Sequence, residues 1–142
     1  MINNKLLLSE LFVGKKEELF QNIDAAAIDE FAKLSGDYSR IHIDRQYAVQ
    51  KGFRDRVVHG AYIASKFSQL IGTKLPGDTG ILLTLNLNFH KAIIVGDYVR
   101  FSSVIKSIHH SVETVEIELT ASIEEKLICC SGKSLVMVSD KK

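Results

Sequence analysis

Near Gly80 the apolar pattern of this chain changes period, and that change limits the class of fold it can adopt. Before it, apolar residues recur at helical spacing. Asp24 is a good N-cap for Ala25, Ala26, Ala27, Ile28, Phe31, Ala32 and Leu34, and Gly36 follows as a C′ residue. A polar segment runs from Asp37 to Asp44, and Asp44 is placed to cap a short helix through Tyr47 and Ala48 that stops near Gly52. His59 to Gly72 is the most apolar helical stretch, with Lys66 its only charge. Tyr62, Ile63, Phe67, Leu70 and Ile71 give it bulk, while Ala61, Ala64, Ser65 and Ser68 form a small-residue stripe. So little charge predicts a mostly buried helix wrapped by a sheet.

Pro76-Gly77-Asp78 marks a turn, and the period beyond it is two. Leu83, Leu85, Leu87 and Phe89 alternate with Thr84, Asn86, Asn88 and His90. Gly96-Asp97 is a turn, and strands are predicted from Tyr98 to Ile105, Val112 to Ile123 and Leu127 to Val138, with Gly132 as a bulge. Helices first and strands afterwards argue for an α+β fold, an antiparallel meander with the apolar helix across its inner face. The 142 residues suit one domain spanning 1–142, since two cores would each be too small.

Composition excludes several function classes. With 18 basic and 17 acidic side chains there is no positive surplus for a phosphate backbone, so nucleic acid is not an expected partner. No apolar run is long enough to span a bilayer, and Leu6–Leu8 is too short for a signal peptide, so no membrane association and a cytoplasmic location are expected. Adjacent cysteines in a strand point to opposite faces, so Cys129 and Cys130 are expected as free thiols, one of them buried. No second cysteine pair or nearby histidine completes a zinc site, and no metal is expected.

Two features carry chemistry. Asp37 and His42 lie five residues apart in the polar segment, close enough for both to meet one water and activate it. The competing reading is an aspartate near a helix end and a surface histidine. Gly60 opens the apolar helix, where free N–H groups and the dipole favour developing negative charge and a missing Cβ admits a ligand. Close packing of helix on sheet would ask for the same glycine.

Taken together, Leu34-Ser35-Gly36-Asp37, His42-Ile43-Asp44, Val58-His59-Gly60, Ala64-Ser65, Phe67-Ser68, Leu87-Asn88-Phe89 and Val95-Gly96-Asp97 resemble the MaoC-like, (R)-specific enoyl-CoA hydratases, from about Phe20 to Val138. The resemblance implies a hot-dog fold, an antiparallel sheet wrapped around one long central helix. It also implies roles: Asp37 and His42 as the catalytic pair that adds water to a trans-2-enoyl thioester, the Gly60 N–H as oxyanion donor, and Ser68 orienting Asp37. The product would be an (R)-3-hydroxyacyl thioester of coenzyme A or acyl carrier protein. No cofactor is implied, because the thioester itself makes proton transfer at Cα feasible. A homodimer paired through its sheets is also implied. The family usually reads Asp-x-Asn-Pro-x-His, whereas Ser39 and Arg40 stand here at the Asn and Pro positions, Arg40 adding a charge near the pair.

Ile71 and Leu83 are candidates for the acyl pocket. His59 reads as a capping or packing residue, and His90, His109 and His110 as solvated. Two rival functions are a non-catalytic acyl-thioester binding module and a hot-dog thioesterase. Thioesterases of this fold often carry a carboxylate on the central helix, and Ala61 to Gly72 contains none.

Overall fold

Five strands form a single antiparallel sheet in the computed structural model, which describes residues 2–139. They are β1 (Lys16–Asn22), β2 (Gly80–Phe89), β3 (Tyr98–His109), β4 (Thr114–Ile123) and β5 (Leu127–Val138), in the order β1-β3-β4-β5-β2. The helices are α1 (Ala25–Ser35), α2 (Arg40–Ile43), α3 (Arg45–Gln50) and α4 (Gly60–Thr73). β3, β4 and β5 form the expected meander, and β2 pairs with β5 at the far edge. The inner face of this sheet wraps α4, which is the hot-dog arrangement. Phe67 of α4 meets Phe101 of β3 edge-on at 5.4 Å, both rings fully buried. Such a pair adds about 0.5–1.5 kcal/mol beyond the area it removes from water.

α1 forms as its caps dictate. Asp24 accepts from the Ala27 N–H at 2.8 Å, and Gly36 closes the helix at φ 77°, a left-handed conformation that only glycine adopts readily.

Several expectations are corrected. β1 has no counterpart in the sequence reading, because Lys15-Lys16-Glu17-Glu18 is a mixed-sign run that reads as surface. As an edge strand it pairs on one side only, with β3, and its charged residues can stay partly in water. α4 is buried along one face rather than mostly buried, and Ala61, Ser65, Ser68 and Gly72 are exposed. In β2 the alternation breaks at Leu83, which sits at a register shift between Leu82 and Thr84 and is exposed. Leu85 and Leu87 still turn inward against the core.

Gly132 is not a bulge: it pairs in register with Leu87 and Leu119. The glycine is required because a Cβ there would stand 1.9 Å from the Asn86 carbonyl oxygen. The bulge of β5 is at Cys129, since Ala121 faces Cys130 while Ser122 faces Ile128. An inserted residue breaks strict alternation, so both thiols are buried, against the expectation of one. Burial raises the Cys129 thiol and pushes Cys130 up to about 11, so both stay protonated near neutrality.

Two outcomes follow. A chromogenic disulfide reagent should leave both cysteines unmodified in the native protein at pH 7 and titrate two thiols after denaturation; rapid native labelling would mean the 127–130 segment opens. Gly132→Ala should lower stability by about 3 kcal/mol in denaturant melts, because the clashing atom is strand backbone and cannot swing aside.

Candidate active site

The polar segment after α1 is shaped by its own short side chains. The Ser35 hydroxyl accepts from the Asp37 N–H at 3.1 Å, and Asp37 Oδ1 accepts from the Ser39 N–H at 3.1 Å. This Asx-type turn leaves the other carboxylate oxygen free and starts α2. His42 is on that single helical turn, where its Nδ1–H donates to the Val57 carbonyl at 2.6 Å. A carbonyl only accepts, so in the neutral ring the proton is on Nδ1 and the Nε2 lone pair is free. Nε2 faces Asp37 Oδ2 across 3.8 Å, with the carboxylate half exposed and the imidazole 14% exposed. The gap is too long for a hydrogen bond and short enough for one water to reach both acceptors.

The segment that supplies the Val57 carbonyl is tied down on each side. Val57 N–H donates to Ile41, Val58 N–H to Ile93, and Val95 N–H to Arg56, at 3.0, 2.8 and 2.9 Å. Buried Asp97 accepts from the Ile94 N–H at 2.8 Å and pairs with Arg54, which accounts for the Gly96-Asp97 turn as scaffold. Arg56 reaches back to α1, donating to Asp29 at 2.6 Å and to the Ala25 carbonyl at 3.2 Å.

Gly60 is the first residue of α4, so its N–H has no intrahelical acceptor. It lines a cleft of ≈390 Å³ with His42, Val58, Ile63, Phe89 and Lys91, among others. A Cβ on Gly60 would lie 3.1 Å from the tip of the Phe89 ring. Both readings of this glycine therefore hold in part: it packs against the end of β2, and it borders the cleft that contains His42. In the sequence Phe89 is one apolar residue of an alternating strand and part of the Leu87-Asn88-Phe89 segment of the resemblance, with no sign of its contact with Gly60.

His59, expected to cap or pack, does the second. It offers no side-chain cap to α4. Its Nε2–H donates to the Asp37 carbonyl at 3.0 Å, and its ring stacks on His42 at 3.9 Å. Phe31 of α1 closes the edge at 5.0 Å. Burial holds the His59 imidazole below its ordinary range, although the bond to the Asp37 carbonyl pulls the other way.

Asp37, His42 and His59 bring ligand-type atoms within 4.8 Å of one another. Spacing alone does not make this a metal centre. One nitrogen of each ring already donates to a carbonyl, and the in-plane lone pairs of two stacked rings run side by side instead of converging.

The remaining candidates lie elsewhere. Ser68 is exposed on α4 and makes no hydrogen bond to Asp37, Ile71 is buried in the core, and Leu83 is exposed on β2. Neither of the last two lines the cleft. Arg40, adjacent in sequence to the pair, donates to Asp44 at 2.9 Å and lies over the Tyr47 ring at 4.4 Å. The Tyr47 N–H first, and Arg40 second, hold the Asp44 carboxyl below the usual range. His90 is exposed as expected, yet it lines the cleft and contacts the Ser131 hydroxyl at 2.6 Å. His109, the last residue of β3, and His110 in the turn that follows are both exposed. No helix among the described residues is long and apolar enough to cross a membrane.

Comparison with known proteins agrees with this architecture. An (R)-specific enoyl-CoA hydratase of Aeromonas caviae is 37% identical over 118 residues, covering 83% of this chain and 78% of its own length. A 3-hydroxybutyryl-CoA dehydratase of Methylorubrum extorquens is 28% identical over 137 residues, covering 96% and 87%. The solved (R)-hydratase from A. caviae involved in PHA biosynthesis superposes with a TM-score of 0.86 at 30% identity, covering 90% of this chain and 97% of that one. An unliganded R-hydratase of Pseudomonas aeruginosa gives 0.91 at 26% identity, covering 99% and 89%. The model of the MaoC like domain matches residues 14–126, and the chain belongs to that family.

Proposed function

We propose that this protein adds water to trans-2-enoyl thioesters, giving (R)-3-hydroxyacyl thioesters, and catalyses the reverse dehydration. One observation carries the reading: two acceptors, Asp37 Oδ2 and His42 Nε2, face each other across 3.8 Å beside a cleft that His42 and Gly60 both line. A water donating one hydrogen to each acceptor has its oxygen lone pairs turned outward, toward Cβ of a bound thioester. As that oxygen bonds to Cβ, His42 Nε2 takes one water proton, and the π electrons move toward Cα and the thioester oxygen. The Gly60 N–H and the helix dipole stabilise the oxygen's charge, the kind of effect for which one donor is worth about 3–4 kcal/mol. The proton then returns to Cα on the same face, so one water is consumed in a syn addition. Dehydration reverses each step. These groups complete the proton transfers without a metal or redox cofactor.

Ser68 has no part in this scheme within one chain, since nothing connects it to Asp37. The thioester carrier is coenzyme A or an acyl carrier protein; relatives named for each exist. β2 leaves its outer edge unpaired, with Ile81, Leu82 and Leu83 exposed along it, and we place a homodimer contact there. A thioesterase is disfavoured by the absence of any carboxylate on α4.

Loss of the enoyl-thioester absorbance with crotonyl-CoA tests the reading. Asp37→Asn and His42→Ala should each lower turnover by about 10²–10⁴-fold, the range for general acid–base groups. Survival of turnover in both would overturn the pair. A folded wild type inactive on short and long chains, and on carrier-bound substrates, would favour the binding module.

Gly60 separates packing from chemistry. Gly60→Ala should lower both melting temperature and turnover, and adding Phe89→Ala should restore the first alone. Recovery of both would mean that only packing against Phe89 requires a glycine here, since the N–H is present in either variant.

A further inference from the structure

We infer that His59 is a positioning residue that joins the two halves of the reactive pair, an inference that rests on the hydratase reading. It touches both partners at points the chemistry does not use. Through Nε2–H it holds the backbone carbonyl of Asp37 at 3.0 Å, leaving the carboxylate free. Through its ring face it holds His42 at 3.9 Å with 23° between planes, leaving both His42 nitrogens free for Val57 and for Asp37. Phe31 at its edge and 1% exposure fix the ring itself.

The same geometry sets its protonation. With Nε2 donating, Nδ1 must be the lone-pair nitrogen of a neutral ring, and Nδ1 is buried without a partner. An imidazolium would put a proton on that nitrogen with no acceptor, an expense far greater than an idle lone pair. The charged and titratable groups around it are His42, Asp37 and Arg56, and burial favours the neutral form. A neutral face beneath His42 lets that ring accept a proton from water without a second cation in contact.

The position is inseparable from the fold. His59 is the residue before α4, so the same short segment that delivers the Gly60 N–H to the cleft also delivers the ring that spaces Asp37 from His42. Oxyanion donor and pair are thus set by one stretch of backbone, Val57 to Gly60.

Two substitutions divide the two contacts. His59→Phe keeps a ring against His42 and loses the donor, whereas His59→Gln keeps a donor near the Nε2 position and loses the stack. Each should lower kcat by about 10–100-fold with KM within about threefold, since misplacement of about 1 Å can cost a hundredfold and leaves uniform binding intact. Long-range imidazole ¹H–¹⁵N spectra of the free protein supply a reading that needs no substrate. Wild type should show His59 neutral with its proton on Nε2 and His42 with its proton on Nδ1; His59→Gln, which loses the stack, should mix the His42 tautomers, and His59→Phe, which keeps it, should not. Wild-type kcat and an unmixed His42 tautomer in folded His59→Gln would overturn the inference, as would wild-type kcat in folded His59→Phe or a wild-type His59 protonated on Nδ1. If wild type turns over no enoyl thioester, the hydratase reading fails, while the spectra still decide whether His59 holds His42.

A third arm uses stability. A histidine whose folded pKa lies below its unfolded value of about 6.5 stabilises the native state above that pH, and the contribution is lost as pH falls through the folded pKa. Wild type should therefore lose more melting temperature between about pH 7 and pH 5 than His59→Phe does. Equal losses would mean that His59 is not held neutral, and would overturn the inference.

Discussion

The 2.6 Å bond from His42 Nδ1–H to the Val57 carbonyl is the contact on which the rest of the site depends. It fixes which nitrogen carries the proton and which way the free lone pair points. Without it the ring turns about Cβ–Cγ, and Asp37 meets either a donor or a carbon. The carbonyl is itself held by the backbone bonds of residues 56–58 to Ile41, Ile93 and Val95. Charged side chains support the same segment, but the carboxylate of Asp29 is exposed and its pairing with Arg56 is screened by water. Exposed pairs are worth about 0.2–1 kcal/mol. Three backbone bonds in a partly buried strand-like segment contribute at least as much, about 1 kcal/mol each. The site is aimed by main chain, and side-chain charge only trims it.

How far the sequence reveals this differs between elements. α1 is legible in full, because Asp24 and Gly36 are local signals that need no tertiary partner. β3, β4 and β5 are legible because apolar residues recur on a buried face over most of each strand. β1 is not, since an edge strand may keep charges along its length and its reason for existing is the partner β3, about 80 residues away. The bulge at Cys129 and the glycine at 132 are equally hidden. One is a slip of register, and the other answers the approach of a backbone from β2.

In the candidate site, residue types were legible and geometry was not. Asp37 and His42 announce themselves by chemistry and spacing, but the carbonyl that selects the His42 tautomer belongs to Val57, whose side chain gives no hint of it. His59 reads as a packing residue, and it is one. What cannot be seen in the string is that the things it packs are the two reactive groups. Gly60 is ambiguous in sequence because both causes operate, and only the place of the Phe89 ring separates them. Ser68 is a different case: its role toward Asp37 is implied by the resemblance, and within one chain the residue is exposed on α4 with no hydrogen bond to Asp37.

The replacement of the usual Asn-Pro by Ser39-Arg40 is a matter of magnitudes. Proline at the first position of α2 would restrict the unfolded chain, an effect of about 0.4–1 kcal/mol. Arg40 gives that up. In return its guanidinium pairs with Asp44 four residues on and covers the Tyr47 ring at 4.4 Å. Both are contacts at an exposed site, of the same modest order as the restraint that proline supplies. Both contacts also tie α2 to α3, because Asp44 caps α3 through the Tyr47 N–H at 3.0 Å. The loop therefore keeps its turn by side-chain cross-links, and the added charge is spent on Asp44 and Tyr47, away from the faces that Asp37 and His42 present to each other.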